Sequence, residues 1–378
     1  MKMRSGKFMR LVSVAGAALA LGSASAGAAG PKEVRFGCYI PLTGMFAIFG
    51  NSMQKGFTMA VEDFEKSGKL KDVKMVIQCE DDQGRADDGI NIARRFIENK
   101  DIVAVIGSWS STVTLAAGPL YNKAKLVNIT PISSHPAVTK VGPYVYRQSV
   151  TQAQEGAFNG KAMYGLGARK IAMLGIPNDY GKANVGVTKA SFLKAGGKVV
   201  FQEFVRPDAQ DFRQVLQKAA REKPDMIYIG AFAPQAALML KQLRQMGMKT
   251  KVYLAAALDT PDLVRLAGTT AVEDAYITLV FNPILDKGIA DFFKRYEAKY
   301  DRKPDPFAGN AYQTAMMMFE IAAKLYPNVT REGFRTELDK IESVNTSYGP
   351  LSYDPKSREW SYKFRIGVIK DGSTTLAK

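Results

Sequence analysis

The sequence predicts an α/β protein of two lobes, each a doubly wound parallel sheet covered by helices. Two observations point to this fold class. Short apolar runs rich in β-branched residues alternate with amphipathic stretches along most of the chain, which is typical of strand–helix units. About five such units occur twice in succession, and a chain of 378 residues is long enough for two domains.

The predicted elements fall into two sets that meet near residue 150. In the first set the strands are 34–40, 74–79, 102–107, 126–130 and 144–148, and the helices are 51–65, 88–98 and 112–123. In the second set the strands are 170–175, 199–204, 226–230, 252–256 and 276–280, and the helices are 154–164, 184–194, 211–222 and 236–246.

The last hundred residues break this alternation. Three helical patterns at 289–300, 307–325 and 331–342 precede a closing strand at 362–370. Because these elements must pack onto the existing lobes, we expect the chain to cross between the lobes more than once. The sequence therefore predicts a hinge of several strands instead of one flexible linker.

The first residues have the pattern of a secretory signal peptide, residues 1–26. Basic residues from Lys2 to Arg10 precede the apolar run LVSVAGAALALGS, and an Ala-x-Ala cleavage site follows. The apolar run is too short and too rich in alanine and glycine to favour a membrane anchor. We therefore expect an exported, soluble protein.

The basic charge of the chain is spread out. Four positive charges of the formal +16 lie in the predicted signal peptide, which leaves about +12 on the mature chain. The basic residues occur singly and in pairs, without the basic stripe interleaved with aromatics that nucleic-acid binding favours. We predict no nucleic-acid partner.

The chain has two cysteines, Cys38 and Cys79, and both lie in predicted strands. In an oxidising compartment they can pair as a disulfide. The alternative is two buried, reduced thiols, because a disulfide between neighbouring strands needs a close Cα spacing. The sequence leaves both open.

Hydroxyl side chains follow two predicted strands of the first lobe. The segment GSWSST comes directly after strand 102–107, and Ser133 and Ser134 come after strand 126–130. Open α/β sheets bind ligands at the carboxyl ends of their strands. Hydroxyls and the free N–H groups of a helix start can hold a small anion such as a carboxylate without an arginine.

Catalytic and cofactor motifs are missing from the strand ends. The segment PLTGMFAIFG has neither a G-x-G-x-x-G pattern nor a P-loop lysine. Asp81 and Asp82 are two carboxylates without a third metal ligand, and they fit a solvated turn better. His135 is the single histidine, and Ser111 lacks a nucleophile elbow. We predict a binding protein without metal or cofactor. The alternative from another functional class is an enzyme, a secreted hydrolase or amidase that uses Ser111 or the two aspartates.

Five segments in order, PLTGMFAIFG, GSWSST, ITPISSHPAVT, NDYGKA and YKFRIGVIKDGSTTLAK, resemble the periplasmic leucine/isoleucine/valine-binding protein family, the type I solute receptors of ABC importers. The resemblance covers about residues 34–378. It implies two lobes joined by three crossings, with a ligand trapped between them. The lobes would be 31–149 plus 282–358 and 150–281 plus 359–378.

The resemblance also implies which residues meet the ligand. Ser111 matches the serine that binds a carboxylate, Ile132 or Ser133 a backbone contact, and Ser134 a hydroxyl partner. The remaining matches are aromatic residues that line the cleft: Phe49, Tyr180, Phe232 and Phe307. Phe46 and Trp109 are further candidates for the cleft wall, and both could equally be core residues.

The ligand itself stays open between two classes. In amino-acid-binding members of this family an acidic residue after the fourth strand of the second lobe holds the α-amino group, and here that strand runs into Ala255, Ala256 and Ala257. The first carboxylate is Asp259, which either points into the cleft or lies outside the following helix. The first case favours a hydrophobic amino acid such as leucine, isoleucine or valine; the second favours an aromatic or aliphatic acid without an amino group. The resemblance further implies a periplasmic location and a membrane permease of an ABC importer as partner, and we expect a monomer.

Overall fold

The structure, a computed structural model, describes residues 32–346 and 349–377. The predicted signal peptide, residues 1–26, lies outside the described residues. The predicted fold class is confirmed: two sheets, one parallel and one parallel except for its last two strands, are flanked by helices and form two lobes. The chain passes between the lobes near residues 147–152, 279–287 and 360–365.

The first lobe contains a five-stranded parallel sheet in the order β2-β1-β3-β4-β5. Its strands are β1 (Glu33–Ile40), β2 (Lys74–Asp81), β3 (Ile102–Gly107), β4 (Asn128–Thr130) and β5 (Val145–Arg147). The helices that connect them are α1 (Ala47–Lys66), α2 (Ala86–Glu98) and α3 (Ser111–Lys123). β3 is buried along its whole length, which explains its unbroken apolar sequence IVAVIG.

The second lobe contains a seven-stranded sheet in the order β7-β6-β8-β9-β10-β14-β15. Its strands are β6 (Lys170–Gly175), β7 (Lys198–Phe204), β8 (Met226–Gly230), β9 (Lys251–Leu254), β10 (Tyr276–Leu279), β14 (Arg365–Lys370) and β15 (Ser373–Leu376). Its helices are α4 (Gln152–Gly165), α5 (Asp179–Lys194), α6 (Arg213–Arg221), α7 (Ala233–Gln245), α8 (Pro261–Ala267) and α9 (Thr269–Val272). The closing strand β14 pairs antiparallel with β10, and β15 pairs antiparallel with β14.

The segment between β10 and β14 returns to the first lobe. It contains α10 (Lys287–Tyr300), α11 (Pro306–Leu325), α12 (Arg331–Asp339) and a small antiparallel sheet of β11 (Ser343–Thr346), β12 (Gly349–Asp354) and β13 (Glu359–Trp360). α11 packs along α1, and the ring of Phe319 lies 5.5 Å from that of Phe64. The sequence predicted the three helices, and the small sheet was not predicted.

A buried ion pair joins two of the passages between the lobes. Arg147, at the end of β5, is almost fully buried and pairs with Glu359 of β13. Its guanidinium also donates to the backbone oxygen of His135 at 2.9 Å. The hinge is therefore cross-linked by charge-assisted hydrogen bonds, the stronger class of hydrogen bond.

The two cysteines form a disulfide. Cys38 of β1 and Cys79 of β2 face each other in the parallel register, and their Cα atoms are 4.2 Å apart. Of the two alternatives that the sequence left open, the structure has the disulfide.

Candidate functional site

A cavity of about 80 Å³ lies between the two lobes at the carboxyl ends of their strands. We call it the interlobe cavity. Both lobes and all three passages contribute to its lining: Trp109, Ser110, Ser111, Ile132, Ser134, Ser149, Val150, Gln152, Glu155, Asn178, Tyr180, Phe232, Ala256, Ala257, Val280, Phe281, Pro306, Phe307, Asn310 and Tyr362.

The loop between β3 and α3 contributes two serines to the cavity and uses a third for its own structure. The Ser108 hydroxyl donates to Asp82 at 2.5 Å and accepts the N–H of Ser110 at 3.1 Å. Burial raises the pKa of Asp82 to about 6. Ser108 thus holds the loop in place, while Ser110 and Ser111 line the cavity at the N-terminus of α3.

The loop after β4 also contains one serine that stabilises the loop and one that lines the cavity. The Ser133 hydroxyl lies 2.6 Å from the hydroxyl of Thr114 and donates to the backbone oxygen of Ser108 at 3.0 Å. It connects the two serine loops and is not part of the cavity lining. Ile132 and Ser134, its neighbours on either side, do line the cavity.

Three of the aromatic residues that line the cavity lie at the starts of helices. Tyr180 is the second residue of α5, Phe232 precedes the first residue of α7, and Phe307 is the second residue of α11. The rings of Tyr180 and Phe232 stack with their centroids 5.0 Å apart. α5 and α7 start directly after β6 and β8, which brings Tyr180 and Phe232 to the carboxyl ends of these strands. Phe307 reaches the same cavity from α11, which follows α10.

Phe49 supports these walls from behind. Its ring stacks on Trp109 at 4.7 Å and lies 5.4 Å from Phe232, but it is not among the lining residues. Phe46 also packs against Trp109 from outside the cavity, with the two ring centroids 5.0 Å apart. Trp109 therefore forms the wall, and both phenylalanines pack against it.

Two of the lining aromatics carry buried donors. Within residues 32–346 and 349–377, the indole N–H of Trp109 and the hydroxyl of Tyr180 have no hydrogen-bond partner. A buried donor without a partner costs free energy, and such groups are commonly satisfied by a ligand or water. Both donors belong to walls of the same cavity.

Asp259 lies away from the interlobe cavity. Its carboxylate accepts hydrogen bonds from the side-chain amide of Asn282 at 3.2 and 3.3 Å, and it lines a separate groove with Lys294 and Lys303. Burial raises its pKa to about 7. The sequence left two orientations of Asp259 open, and in the structure it points away from the cleft. Asp259 lies one turn beyond the end of β9, and Ala256, which is nearer to that end, lines the cavity.

Glu155 is the one acidic residue that lines the cavity among the described residues, and sequence reasoning missed it. It lies in the first turn of α4, whose start is capped by Thr151. Its carboxylate accepts hydrogen bonds from the backbone N–H of Ala256 at 2.9 Å, from Gln152 at 3.1 Å and from Asn159 at 3.3 Å. Burial raises its pKa, and these donors act in the opposite direction.

A signal for Glu155 exists in the sequence. Gln152, Glu155 and Asn159 recur at helical spacing, so they form a polar stripe on one face of α4. All three are buried in the structure. An acid in the first turn of a helix is also explained by the helix dipole, which is why this position alone does not indicate a site.

The lobes touch across the cavity in this structure. The Thr112 hydroxyl of the first lobe donates to Asp179 of the second at 2.7 Å. The rings of Trp109 and Phe232 lie 4.8 Å apart across the same boundary. The structure is thus a closed arrangement of the two lobes.

The fold and the cleft define a two-lobed binding protein. Residues 33–374 match the model of the periplasmic binding protein family, and the chain belongs to that family. It is 27% identical over 350 residues to Leu/Ile/Val-binding protein homolog 1 of Brucella abortus, a match that covers 92% of this chain and 93% of the relative.

Two solved structures are similar over almost the whole chain. A leucine binding protein from Thermotoga maritima has 26% sequence identity and a TM-score of 0.81, covering 91% of this chain and 98% of its own. A solute binding protein of an ABC transporter from Rhodopseudomonas palustris, in complex with 3,4-dihydroxybenzoic acid, has 23% identity and a TM-score of 0.83, covering 91% and 95%. The second likeness shows the fold alone.

The described residues include neither a membrane-spanning helix nor a cluster of metal-ligating side chains. No helix among residues 32–346 and 349–377 is long and apolar enough to cross a membrane. The same residues contain no group of three or more histidine, cysteine, aspartate or glutamate side chains that could hold a metal ion.

Proposed function

We propose that this protein is the solute receptor of an ABC importer, which captures a small carboxylate ligand between its lobes and delivers it to a membrane permease. The ligand is a branched-chain or other hydrophobic amino acid. One observation carries the proposal: serine loops of one lobe and aromatic helix starts of the other line a single cavity.

The ligand carboxylate binds at the serine loops. Ser111 and Ser134 donate their hydroxyls, and the N-terminus of α3 contributes N–H groups. The N–H groups of Ile132 and Ser133 donate to the Thr130 hydroxyl oxygen at 3.2 and 2.9 Å, which fixes the second serine loop beside this subsite. Hydrogen bonds to a charged acceptor contribute about 1.5–3 kcal/mol each, enough to hold a carboxylate without a cationic side chain. The free donors of Trp109 and Tyr180 support the same assignment.

The apolar part of the ligand packs against Trp109, Tyr180, Phe232 and Phe307, with Phe49 behind them. The small side chains of Ala256 and Ala257 leave room on the second lobe. This wall also suits a flat aromatic acid, so an aromatic or aliphatic acid without an amino group is the second candidate for the same receptor.

Closure of the hinge retains the ligand. We assign residues 31–149 and 282–358 to one lobe, and residues 150–281 and 359–378 to the other. Contacts that form only when both walls meet the ligand drive such a closure. The Thr112–Asp179 hydrogen bond joins the lobes when they are closed. Export by residues 1–26 would bring the receptor to the periplasm.

Binding without turnover is part of the proposal. The Ser111 hydroxyl lies 3.4 Å from the backbone N–H of His135, and the imidazole Nδ1 accepts the N–H of Ala137 at 3.1 Å. Neither contact activates Ser111 as a nucleophile, which needs a base within hydrogen-bond reach.

Calorimetric titration with hydrophobic amino acids, followed by analysis of the recovered compound, tests this function. We expect saturable binding at one site and a ligand that is recovered unchanged. Turnover of the compound that Ser111→Ala abolishes would instead establish the hydrolase.

A further inference from the structure

Glu155 brings a carboxyl group into the interlobe cavity. It is 2% exposed, and it accepts hydrogen bonds from three neutral donors: the N–H of Ala256 and the amides of Gln152 and Asn159. No lysine, arginine or histidine is among the described residues that line the cavity. A buried carboxylate without a cation is costly, so a cation supplied by the ligand would be bound favourably.

The position of Glu155 fits a ligand held at the serine loops. One nitrogen, the side-chain Nε2 of Gln152, donates to the Ser134 hydroxyl at 2.9 Å and to Glu155 Oε2 at 3.1 Å. The proposed carboxylate subsite and the Glu155 carboxylate are therefore neighbours. In an α-amino acid the carboxylate and the ammonium are attached to the same carbon, so both groups can reach these two partners at once.

Glu155 also reaches the end of β9, where the sequence has alanine. The backbone N–H of Ala256 donates to Glu155 Oε1, which fixes the carboxylate from a neighbouring element. Gln152 is held in turn by Asn184, which donates to its side-chain oxygen at 2.7 Å. A carboxylate fixed in this way loses little conformational entropy when a ligand binds.

We infer that Glu155 accepts hydrogen bonds from the ammonium group of the ligand, so that the receptor binds α-amino acids and discriminates against the same acids without an amino group. This inference rests on the proposed function. The sequence offered Asp259 as a candidate partner of the α-amino group, and this inference assigns that role to Glu155 on α4 instead.

Discrimination follows from charge. A ligand with only a carboxylate would place a second negative charge beside Glu155 in a poorly solvated cavity, where like charges repel strongly. A 2-hydroxy acid keeps a hydrogen-bond donor at the position of the amino group but has no positive charge there. The inference therefore predicts weak binding of both analogues.

The test is calorimetric titration of the wild-type protein with three series of compounds. The amino acids are L-leucine, L-isoleucine, L-valine and L-phenylalanine, and each is paired with its deaminated acid and its 2-hydroxy acid. We expect at least one amino acid to bind, and its two analogues to bind at least tenfold more weakly. This arm uses no variant, so it stands even if a variant does not fold.

The second arm compares Glu155→Gln with Asp259→Asn, a matched neutralisation of a partly buried acid outside the cavity. We expect Glu155→Gln to weaken amino-acid binding at least tenfold and to change deaminated-acid binding little or to improve it. We expect Asp259→Asn to bind the amino acid like the wild type.

The outcomes separate this inference from the proposed function. Binding of deaminated acids alone, or an unchanged affinity of Glu155→Gln for amino acids, overturns the inference and leaves a carboxylate receptor. Loss of amino-acid binding in Asp259→Asn alone moves the role to Asp259. Absence of binding by every compound in all three series contradicts the proposed function as well.

Discussion

The two lobes contribute to the interlobe cavity in different ways. In the first lobe the polar groups come from loops that directly follow strands, such as Ser111 after β3 and Ser134 after β4. In the second lobe the acidic group, Glu155, comes from the face of a helix that starts just after a passage between the lobes. Loops at strand ends can be found from local sequence, whereas a helix face acquires its surroundings only from the tertiary fold.

The same contrast holds within each lobe. Ser108 and Ser111 are three residues apart, yet one hydroxyl holds Asp82 and the other faces the cavity. Glu155 and Asp259 are both acids of the second lobe, yet Glu155 lines the interlobe cavity and Asp259 lines a separate groove. The functional group is the same within each pair, so its position in the fold decides which member can meet a ligand.

Within the first lobe, we expect the largest loss of affinity when Ser111 is changed, and no comparable loss when Ser108 is changed. Ser111→Ala removes a donor to the ligand carboxylate and should weaken binding by about 1.5–3 kcal/mol, roughly ten- to 150-fold. Without ligand, its thermal midpoint should match that of the wild type. Calorimetry and thermal unfolding measure the two quantities.

Ser108→Ala is the matched control for that variant. It removes the hydrogen bond to the buried Asp82 and should lower the free energy of unfolding by about 1–3 kcal/mol. If Ser111→Ala lost stability and kept its affinity, the division between the two serines would be wrong.

A smaller effect is expected on the second lobe at Tyr180. Tyr180→Ala removes a ring that stacks on Phe232 and lines the cavity, and it should weaken binding by about 1 kcal/mol, roughly fivefold. Tyr180→Phe keeps the ring and removes only the hydroxyl donor, so its loss of affinity should be smaller than that of Tyr180→Ala. Equal affinities of Tyr180→Ala and the wild type would show that this wall does not contact the ligand.

The smallest effect on affinity is expected for Asp259→Asn, which should change the stability of the fold instead. Burial raises the pKa of Asp259 to about 7 from an ordinary 3.8, so the folded state binds a proton more readily than the unfolded state. That contribution to stability is fully present below the ordinary pKa of 3.8 and is lost progressively as the pH rises from there to about 7. Asp259→Asn should therefore gain stability relative to the wild type between pH 5 and pH 8.

Denaturant unfolding of both proteins at several pH values measures this difference. A constant difference in unfolding free energy between pH 5 and pH 8 would show that the pKa of Asp259 is not raised. The affinity of Asp259→Asn for its ligand should stay within about twofold of the wild type at each pH, because a change of twofold is under 0.5 kcal/mol.

Much of the fold could be predicted from the sequence. The buried strands β3, β6 and β8 start and end at the predicted residues, because unbroken apolar runs bounded by turns mark parallel strands clearly. The small sheet of β11, β12 and β13 was not predicted, since its short strands lack such runs. Pairing of Cys38 with Cys79 depended on the register between β1 and β2, which sequence spacing does not fix.

The candidate site was predictable in part for the same physical reasons. The structure brings six of the predicted residues to one cavity: Ser111, Ile132, Ser134, Tyr180, Phe232 and Phe307. Phe49 and Ser133 lie one layer behind it, because a local pattern does not tell which side of a loop or helix faces the ligand. Whether these residues bind a ligand stays a prediction.

Small-angle X-ray scattering of the wild-type protein, with and without a saturating amino acid from the calorimetric series, tests the central claim most directly. The claim is that the ligand binds between the lobes and holds them closed. The radius of gyration should fall when the ligand is added, because the free protein also populates open arrangements. Identical scattering profiles at a ligand concentration that calorimetry shows to be saturating would contradict the claim.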